Sequence, residues 1–182
     1  DICSYKEGTG PDTTVLDDSQ GTPNYPSADM VETAVSVEVN GYGEDEEYLF
    51  ENTASANETR RYADGNSYFI YRIEIRDLVS PKITLKIAQN YLVEISSNGQ
   101  DWIEVVDFSK TSEYQDLYNQ YLGTAEFDSY FASSGDYIGG ENMTDIEIDP
   151  YEHEIYGALY IKISDCITSA GWGGALELLT IS

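Results

Sequence analysis

Basic side chains and histidine are scarce in this sequence. Nine Lys and Arg residues stand against 34 Asp and Glu residues, and His153 is the single histidine, so the formal net charge at pH 7 is −25. Nucleic acids and anionic membrane surfaces bind basic patches that replace their counterions. The composition therefore argues against nucleic acid as a partner, and one histidine cannot form a histidine cluster for zinc.

Long apolar segments are missing as well. No stretch approaches the ~18 to 20 consecutive apolar residues of a membrane-spanning helix. No segment has the basic start and apolar centre of a signal peptide. We therefore expect no membrane insertion, and we expect that any export signal has already been removed.

The residue patterns of common enzymes are not visible either. The sequence favours no Ser-His-Asp or Cys-His pairing, and it has no phosphate-binding glycine loop followed by a helix. With so many Asp and Glu residues, some pair always matches a glycosidase pair, so that alternative stays open without being supported. We expect a protein that is not an enzyme.

The sequence does contain many aromatic residues and clear strand patterns. Sixteen Tyr, five Phe and two Trp residues are present. Apolar and polar residues alternate in segments 68–75 and 82–87, which is the pattern of strands with one face toward a core. The predicted inward positions are Phe69, Tyr71, Ile73 and Ile75 in the first segment and Ile83, Leu85 and Ile87 in the second.

The segment 90–106 predicts a β-hairpin. Residues 91–96 alternate as a strand, Asn98-Gly99 favours a tight turn, and residues 102–106 form the returning strand. Further strand patterns bring the expected count to eight or nine. They lie near residues 34–39, 48–51, 145–148, 159–163 and 176–181.

At this length we expect one domain over residues 1–182. Residues 1–30 are rich in Gly, Pro, Ser, Thr and Asp and are expected to form an extended segment. Residues 109–152 are expected to be an aromatic-rich insertion that contains a short amphipathic helix. That helix would begin at the capping-box spacing of Ser112 and end before Gly123.

Three segments together resemble the galactose-binding-like β-sandwich superfamily, which includes discoidin-type domains and many carbohydrate-binding modules. They are the hairpin from Ser96 to Trp102 with its β-branched return, the segment Arg61 to Arg72, and the final strand pair over residues 158–181. The resemblance covers residues 60–108 and 158–181. It implies an all-β, antiparallel jelly-roll sandwich.

Glu177 is a charged residue among apolar neighbours in the segment 175–181. An unpaired buried carboxylate is costly, so this side chain needs a partner. The resemblance implies a structural Ca²⁺ held by Glu177 together with Asn57, Asp64 and Asn66 of an early loop, and oxygen ligands suit calcium. Alternatively, Glu177 points to solvent at a sheet edge and Asp64 only belongs to a turn.

The resemblance also implies a sugar site built from aromatic and polar side chains, because an aromatic ring stacks on a pyranose while polar groups bind its hydroxyls. Trp172 lies between two glycines and is either such a platform or a buried wedge, whereas Trp102 is expected to pack in the core or the hairpin. The candidate ligand-binding residues are Trp172, Arg61, Tyr62, Tyr68, Tyr130, Phe131 and Tyr137.

The two cysteines, Cys3 and Cys166, lie far apart in the sequence. In a sandwich the first and last segments are often neighbours, so a disulfide is one expectation and two free thiols are the other. Closing so long a loop would stabilise the fold by ~4 kcal/mol.

The resemblance implies a non-catalytic carbohydrate-binding module of a secreted, multidomain polysaccharide-degrading protein. Its partners would be a polysaccharide and neighbouring domains. The alternative is an extracellular adhesion or scaffolding module that binds protein or spaces domains. A contiguous exposed aromatic patch favours the first function, and a flat apolar face favours the second.

Overall fold

The chain forms two antiparallel β-sheets packed face to face. The computed structural model describes residues 37–38, 48–56, 60–127, 143–167 and 173–181. The strands are β1 (Val37–Glu38), β2 (Leu49–Asn52), β3 (Ser55–Ala56), β4 (Arg61–Tyr62), β5 (Tyr68–Glu74), β6 (Ile83–Ala88), β7 (Tyr91–Ser96), β8 (Ile103–Asp107), β9 (Thr144–Ile148), β10 (Ala158–Asp165) and β11 (Ala175–Ile181). Within these described ranges, the α-helix α1 (Ser112–Tyr121) and 3₁₀ turns at Phe108–Lys110 and Pro150–His153 lie between the strands.

The strand order has jelly-roll connectivity. One sheet has the order β3-β4-β11-β6-β9, with β1 also paired to β11, and the other has the order β2-β5-β10-β7-β8. The pairs β4–β11, β5–β10, β6–β9 and β7–β8 are nested inside one another along the chain. This nesting, with successive strands alternating between sheets, confirms the predicted all-β jelly-roll sandwich.

The core lies between the two sheets and includes the inward positions that alternation predicted in β5, β6 and β10. In β10, Leu159, Ile161 and Ile163 are fully buried and lie opposite the buried side of β5. Burying each such side chain contributes roughly 1.5–3 kcal/mol. The core-facing positions of β5 and β6 are Phe69, Tyr71 and Ile73, with Ile75 directly after, and Ile83, Leu85 and Ile87.

Three local expectations need correction. The hairpin of β7 and β8 is confirmed, but its connection runs from residue 97 to residue 102 and is longer than a tight two-residue turn. The N-cap of the helix is Thr111, one residue before the predicted cap Ser112, because the Thr111 hydroxyl accepts a hydrogen bond from the Tyr114 amide at 3.2 Å. Strand β9 falls inside the predicted insertion 109–152 and yet pairs with β6 as part of the sheet.

Within the described part of the chain, no helix has the length and apolar character to cross a membrane. Residues 1–30 lie outside the described residues. The expectation of an extended N-terminal segment therefore stays a prediction.

Candidate functional site

The outer face of the five-stranded sheet carries an unusual set of side chains. Strand register places Tyr160 opposite Arg72 and places Lys162 opposite both Ile70 and Glu94. Directly opposite residues in an antiparallel pair share one face of the sheet. Because the odd-numbered neighbours in β10 are buried in the core, this shared face is the one away from the core. We call it the aromatic face and define it by four side chains, Phe50, Tyr68, Trp102 and Tyr160.

The ring of Tyr160 is held from several sides. The Phe50 ring meets it edge-on with centroids 5.0 Å apart. The Arg72 guanidinium lies 5.9 Å from its centroid, and Arg72 Nε donates a hydrogen bond to its hydroxyl at 3.2 Å. Gly99 has φ of +72°, and a Cβ there would lie 3.2 Å from the Tyr160 ring. Glycine therefore allows the hairpin connection to approach the ring closely.

Lys162 lies between two other rings of the aromatic face. Its ammonium is 5.8 Å from the centroid of Tyr68 and 5.2 Å from that of Trp102, which is cation–π distance. The same ammonium contacts Glu94 Oε2 at 2.9 Å. The Tyr68 hydroxyl hydrogen-bonds Glu51, and this bond to a carboxylate raises the pKa of Tyr68. Both aromatic side chains are thus positioned by charged neighbours.

Solvent reaches part of each ring. Phe50 is 54 % exposed, and Tyr68, Trp102 and Tyr160 are partly exposed. Ile70 also points outward but is only 3 % exposed, so the larger side chains around it form a second, small apolar layer above the sheet. Partly exposed rings with fixed orientation, next to carboxylates and a guanidinium, can bind a ligand that has both apolar faces and hydroxyl groups.

Of the predicted ligand-binding residues, Tyr68 lies on the aromatic face. Arg61 and Tyr62 form β4 of the other sheet. Arg61 is 4 % exposed and lies opposite the buried Leu176, which places it on the core side of that sheet. It therefore offers little surface to a ligand that binds from solvent. Four further candidates, Trp172, Tyr130, Phe131 and Tyr137, lie outside the described residues, and their roles stay predictions.

Sequence reasoning missed Phe50 and Tyr160 and assigned Trp102 to the core or the hairpin. A signal for Trp102 was available, because alternation backward from Glu104 puts Trp102 on the same side as Glu104 and, through the register, as Glu94. Tyr160 likewise alternates with the buried Leu159 and Ile161.

Glu177 has two cationic partners. Its carboxylate lies 3.5 Å from Arg60 Nε and 3.3 Å from Lys86 Nζ, and its side chain is 33 % exposed. The register of β11 against β6 shifts between Leu176 and Leu178, so Glu177 occupies a β-bulge. A bulge turns one side chain away from the regular alternation, which explains a carboxylate in this apolar strand. The expected need for a partner is met by two ion pairs.

This arrangement does not fit a calcium ion at Glu177, because the ion would lie beside two cations that already compensate the carboxylate. Asp64 contacts the segment just before β11, since its Oδ1 accepts a hydrogen bond from the Gly173 amide at 3.3 Å. Four residues of extended chain, about 13 Å, separate Asp64 from Arg60. Asn66 is exposed and Asn57 lies outside the described residues. Calcium binding by this set of residues therefore stays a prediction, and the ion pairs of Glu177 argue against it.

A second carboxylate, Asp165, joins the end of β10 to two loops. It is 5 % exposed, and its oxygens accept from the Gly65 amide at 3.1 Å and the Ile167 amide at 2.7 Å. Burial and the nearby charge of Asp64 raise the pKa of Asp165 to about 7. In the described ranges no group of three or more His, Cys, Asp or Glu side chains has metal-binding geometry.

Cys166 is half-buried, and burial raises the pKa of its thiol to about 12. A thiol with so high a pKa stays protonated and is a poor nucleophile. Cys3 lies outside the described residues, so the disulfide stays a prediction.

The fold and the aromatic face define the class of this protein. It is a jelly-roll β-sandwich whose five-stranded sheet carries aromatic and charged side chains on its outer face. No protein-family model and no curated protein matches the chain. One solved structure similar to it is a family GH115 4-O-methyl-alpha-glucuronidase with specificity for decorated arabinogalactans. That match has 6 % identity over 81 % of this chain and 17 % of the enzyme, with a TM-score of 0.38.

Another similar structure is an exo-beta-1,3-galactanase from Phanerochaete chrysosporium with bound beta-1,3-galactotriose. It is 12 % identical over 93 % of this chain and 36 % of that chain, with a TM-score of 0.31. The chain thus spans only a minor part of both proteins. Likenesses this weak carry no weight, so function has to be inferred from the side chains themselves.

Proposed function

We propose that this protein is a non-catalytic carbohydrate-binding module that binds a polysaccharide on its aromatic face. The observation that carries the proposal is the grouping of Phe50, Tyr68, Trp102 and Tyr160 on one outer sheet face among charged hydrogen-bonding groups. Folding a sandwich needs apolar side chains between the sheets, not outside them. Aromatic rings on the solvent side therefore point to a ligand.

Recognition would combine two kinds of contact. The exposed parts of Phe50 and Trp102 offer flat apolar surface for the CH face of a pyranose ring. Carboxylates such as Glu51 and Glu94 accept hydrogen bonds from sugar hydroxyls, and charged acceptors form the stronger bonds. The ligand would lie across the strands on an open sheet face.

The existing contacts lower the entropic cost of binding. Tyr68 is held by Glu51, Tyr160 by Arg72, and Lys162 by Glu94. Ordering a free side chain at an interface costs about 0.5–1.5 kcal/mol, and side chains already held in place avoid much of that loss. The face is therefore preorganised for a rigid ligand.

The wider setting is also a proposal. A module of this kind would belong to a secreted, multidomain polysaccharide-degrading protein and would keep it near its substrate. The resemblance of the hairpin and the final strand pair to carbohydrate-binding modules supports this setting. A second, loop-borne site that includes Trp172 or Tyr137 would be compatible with the aromatic face.

The test is retention of the purified protein by soluble polysaccharides in affinity gels and by insoluble ones in pull-downs. We expect Trp102→Ala and Phe50→Ala each to weaken retention about tenfold or more, since each removes a stacking ring. Trp102→Phe keeps a ring and should retain part of the affinity. Thermal melts of each variant would separate loss of binding from loss of folding.

Tyr156→Ala is the matched control, because Tyr156 is exposed and aromatic but packs on Tyr151 rather than on the aromatic face. Its retention should equal that of the parent protein. Loss of binding in Trp172→Ala or Tyr137→Ala alone would move the site to the loops. No retention on a broad panel would overturn the proposal and favour the adhesion or scaffolding function.

A further inference from the structure

We propose, on the basis of the function proposed above, that the aromatic face selects uncharged polysaccharides and rejects those that carry uronate or sulfate groups. Site charge, whole-molecule charge and hydrogen-bonding capacity each support this choice of ligand class. Each of these is visible in the described residues or in the composition.

The cations of the face are already used by the protein. Lys162 contacts Glu94 at 2.9 Å and lies between the rings of Tyr68 and Trp102. Arg72 pairs with Glu74 and donates to the Tyr160 hydroxyl. A site built for an anionic sugar would aim a cation at the ligand, and these two are instead committed to carboxylates and rings of the same face.

At the edge of this sheet, the cation is likewise paired with carboxylates of the protein. Lys110 contacts Glu104 Oε2 at 2.6 Å and Asp107 Oδ2 at 3.3 Å. Among the described outer-face residues, carboxylates outnumber cations. The cations are Arg72, Lys110 and Lys162, and the carboxylates are Glu51, Glu74, Glu94, Glu104 and Asp107.

The whole molecule adds long-range repulsion. With a formal net charge of −25, an anionic polymer approaches against the field of the protein. Salt reduces this field, since the Debye length falls from about 30 Å at 0.01 M to about 8 Å at 0.15 M. Discrimination against an acidic chain should therefore be largest at low salt.

A neutral polysaccharide needs no free cation on the face and is not repelled by the net charge of the protein. Ionised carboxylates only accept hydrogen bonds, so their best partners are hydroxyl donors. A neutral polysaccharide offers many hydroxyls and the CH faces that stack on rings. The paired lysine and arginine then hold the carboxylates in place instead of binding the ligand directly.

The experiment uses polymers that differ only in charge. Polygalacturonate, glucuronoxylan and alginate are each compared with their carboxyl-reduced forms, beside a panel of neutral polysaccharides, at pH 7 and with EDTA so that divalent cations cannot bridge carboxylates. We expect retention of one or more neutral polymers and retention of acidic forms that is at least about tenfold weaker at 0.01 M salt. The ratio of neutral-polymer retention to acidic-polymer retention should be smaller at 0.15 M salt.

A charge variant sharpens the test. Glu94→Gln removes one carboxylate and frees Lys162, so the preference for the neutral form should shrink by about fivefold. Glu152→Gln makes the same change in net charge on the exposed 3₁₀ turn and should leave the preference unchanged.

The possible failures are distinguishable. Retention of an acidic polymer equal to or tighter than its reduced form, with affinity that falls as salt rises, overturns this inference but leaves the proposed function standing. Retention of no polysaccharide, neutral or acidic, overturns the proposed function and this inference with it. Equal effects of Glu94→Gln and Glu152→Gln would also overturn this inference, since they would assign the selection to net charge and not to the aromatic face.

Discussion

The outer faces of the two sheets are built from different residues. On the six-stranded sheet, β6 and its neighbours present Thr84, Lys86, Glu147 and Thr180, and Thr84 lies opposite both Glu147 and Thr180. On the five-stranded sheet, the corresponding positions carry aromatic rings and the buried Ile70. Both faces belong to one sandwich with one core.

This difference separates folding requirements from ligand requirements. The Thr, Lys and Glu side chains show that small and charged residues are sufficient on a solvated sheet face. The rings of the aromatic face are therefore not needed to satisfy the jelly-roll connectivity. They form a second layer whose value to stability and to binding can be measured separately.

The largest effect is expected on the pH dependence of stability, and it comes from Asp165, which is buried and belongs to neither outer face. Asp165 has a folded pKa of about 7, above its ordinary value of 3.8. The folded state thus binds the proton more tightly, so the free energy of unfolding falls as pH rises from about 4 to about 8. The loss attributable to this group is at most about 4 kcal/mol.

Denaturant titrations of the parent protein and of Asp165→Asn across this pH range test that prediction. Asparagine cannot ionise, so the variant should lose the part of the pH dependence between about pH 4 and pH 8 that Asp165 supplies. Its side-chain nitrogen cannot accept the second of the two amide hydrogen bonds, so we expect a pH-independent loss of stability in addition. A parent profile that is no steeper than that of the variant would contradict the assignment to Asp165.

The next effect concerns the apolar layer of the aromatic face. Ile70→Ala should cost about 3 kcal/mol, because the side chain is 3 % exposed and its loss leaves a cavity. Thr84→Ala, at a half-buried outer position of the other sheet, should change stability by less than about 0.5 kcal/mol. Equal costs in urea unfolding would mean that the two outer faces do not differ in packing.

A smaller difference in stability is expected between variants of two ion-paired lysines. Lys162→Met should destabilise by about 1 kcal/mol, since it removes a salt bridge and two cation–π contacts. Lys86→Met removes only the contact with Glu177 and should cost about half as much. Only the Lys162 variant should also alter polysaccharide retention, and a binding change in Lys86→Met would place the ligand on the other sheet.

The smallest effect on the melting temperature is expected from the removal of calcium. Because Arg60 and Lys86 already compensate Glu177, EDTA should leave the melting temperature unchanged. A lower melting temperature in EDTA that excess calcium chloride restores would show that an ion stabilises the folded state. Repeating the melt with Glu177→Gln would tell whether that ion binds at this carboxylate or elsewhere.

Some of the site was within reach of sequence reasoning. Tyr68 was placed on the outward side of β5 by alternation, and that placement is confirmed. Trp102 could have been found by the same alternation, but a tryptophan beside a hairpin turn is equally compatible with core packing. Phe50 could not be placed, because the register of β2 on β5 shifts between Leu49 and Glu51.

Residue patterns alone predict the longer strands of this protein and which side of each strand faces the core. A period of two residues assigns Phe69, Tyr71 and Ile83 to the core whatever the strand order, because each strand has only two faces. Tertiary structure decided which outward side chains meet. Lys162 lies between Tyr68 and Trp102, and Glu177 lies between Arg60 and Lys86, only because the jelly roll pairs strands that are distant in the chain.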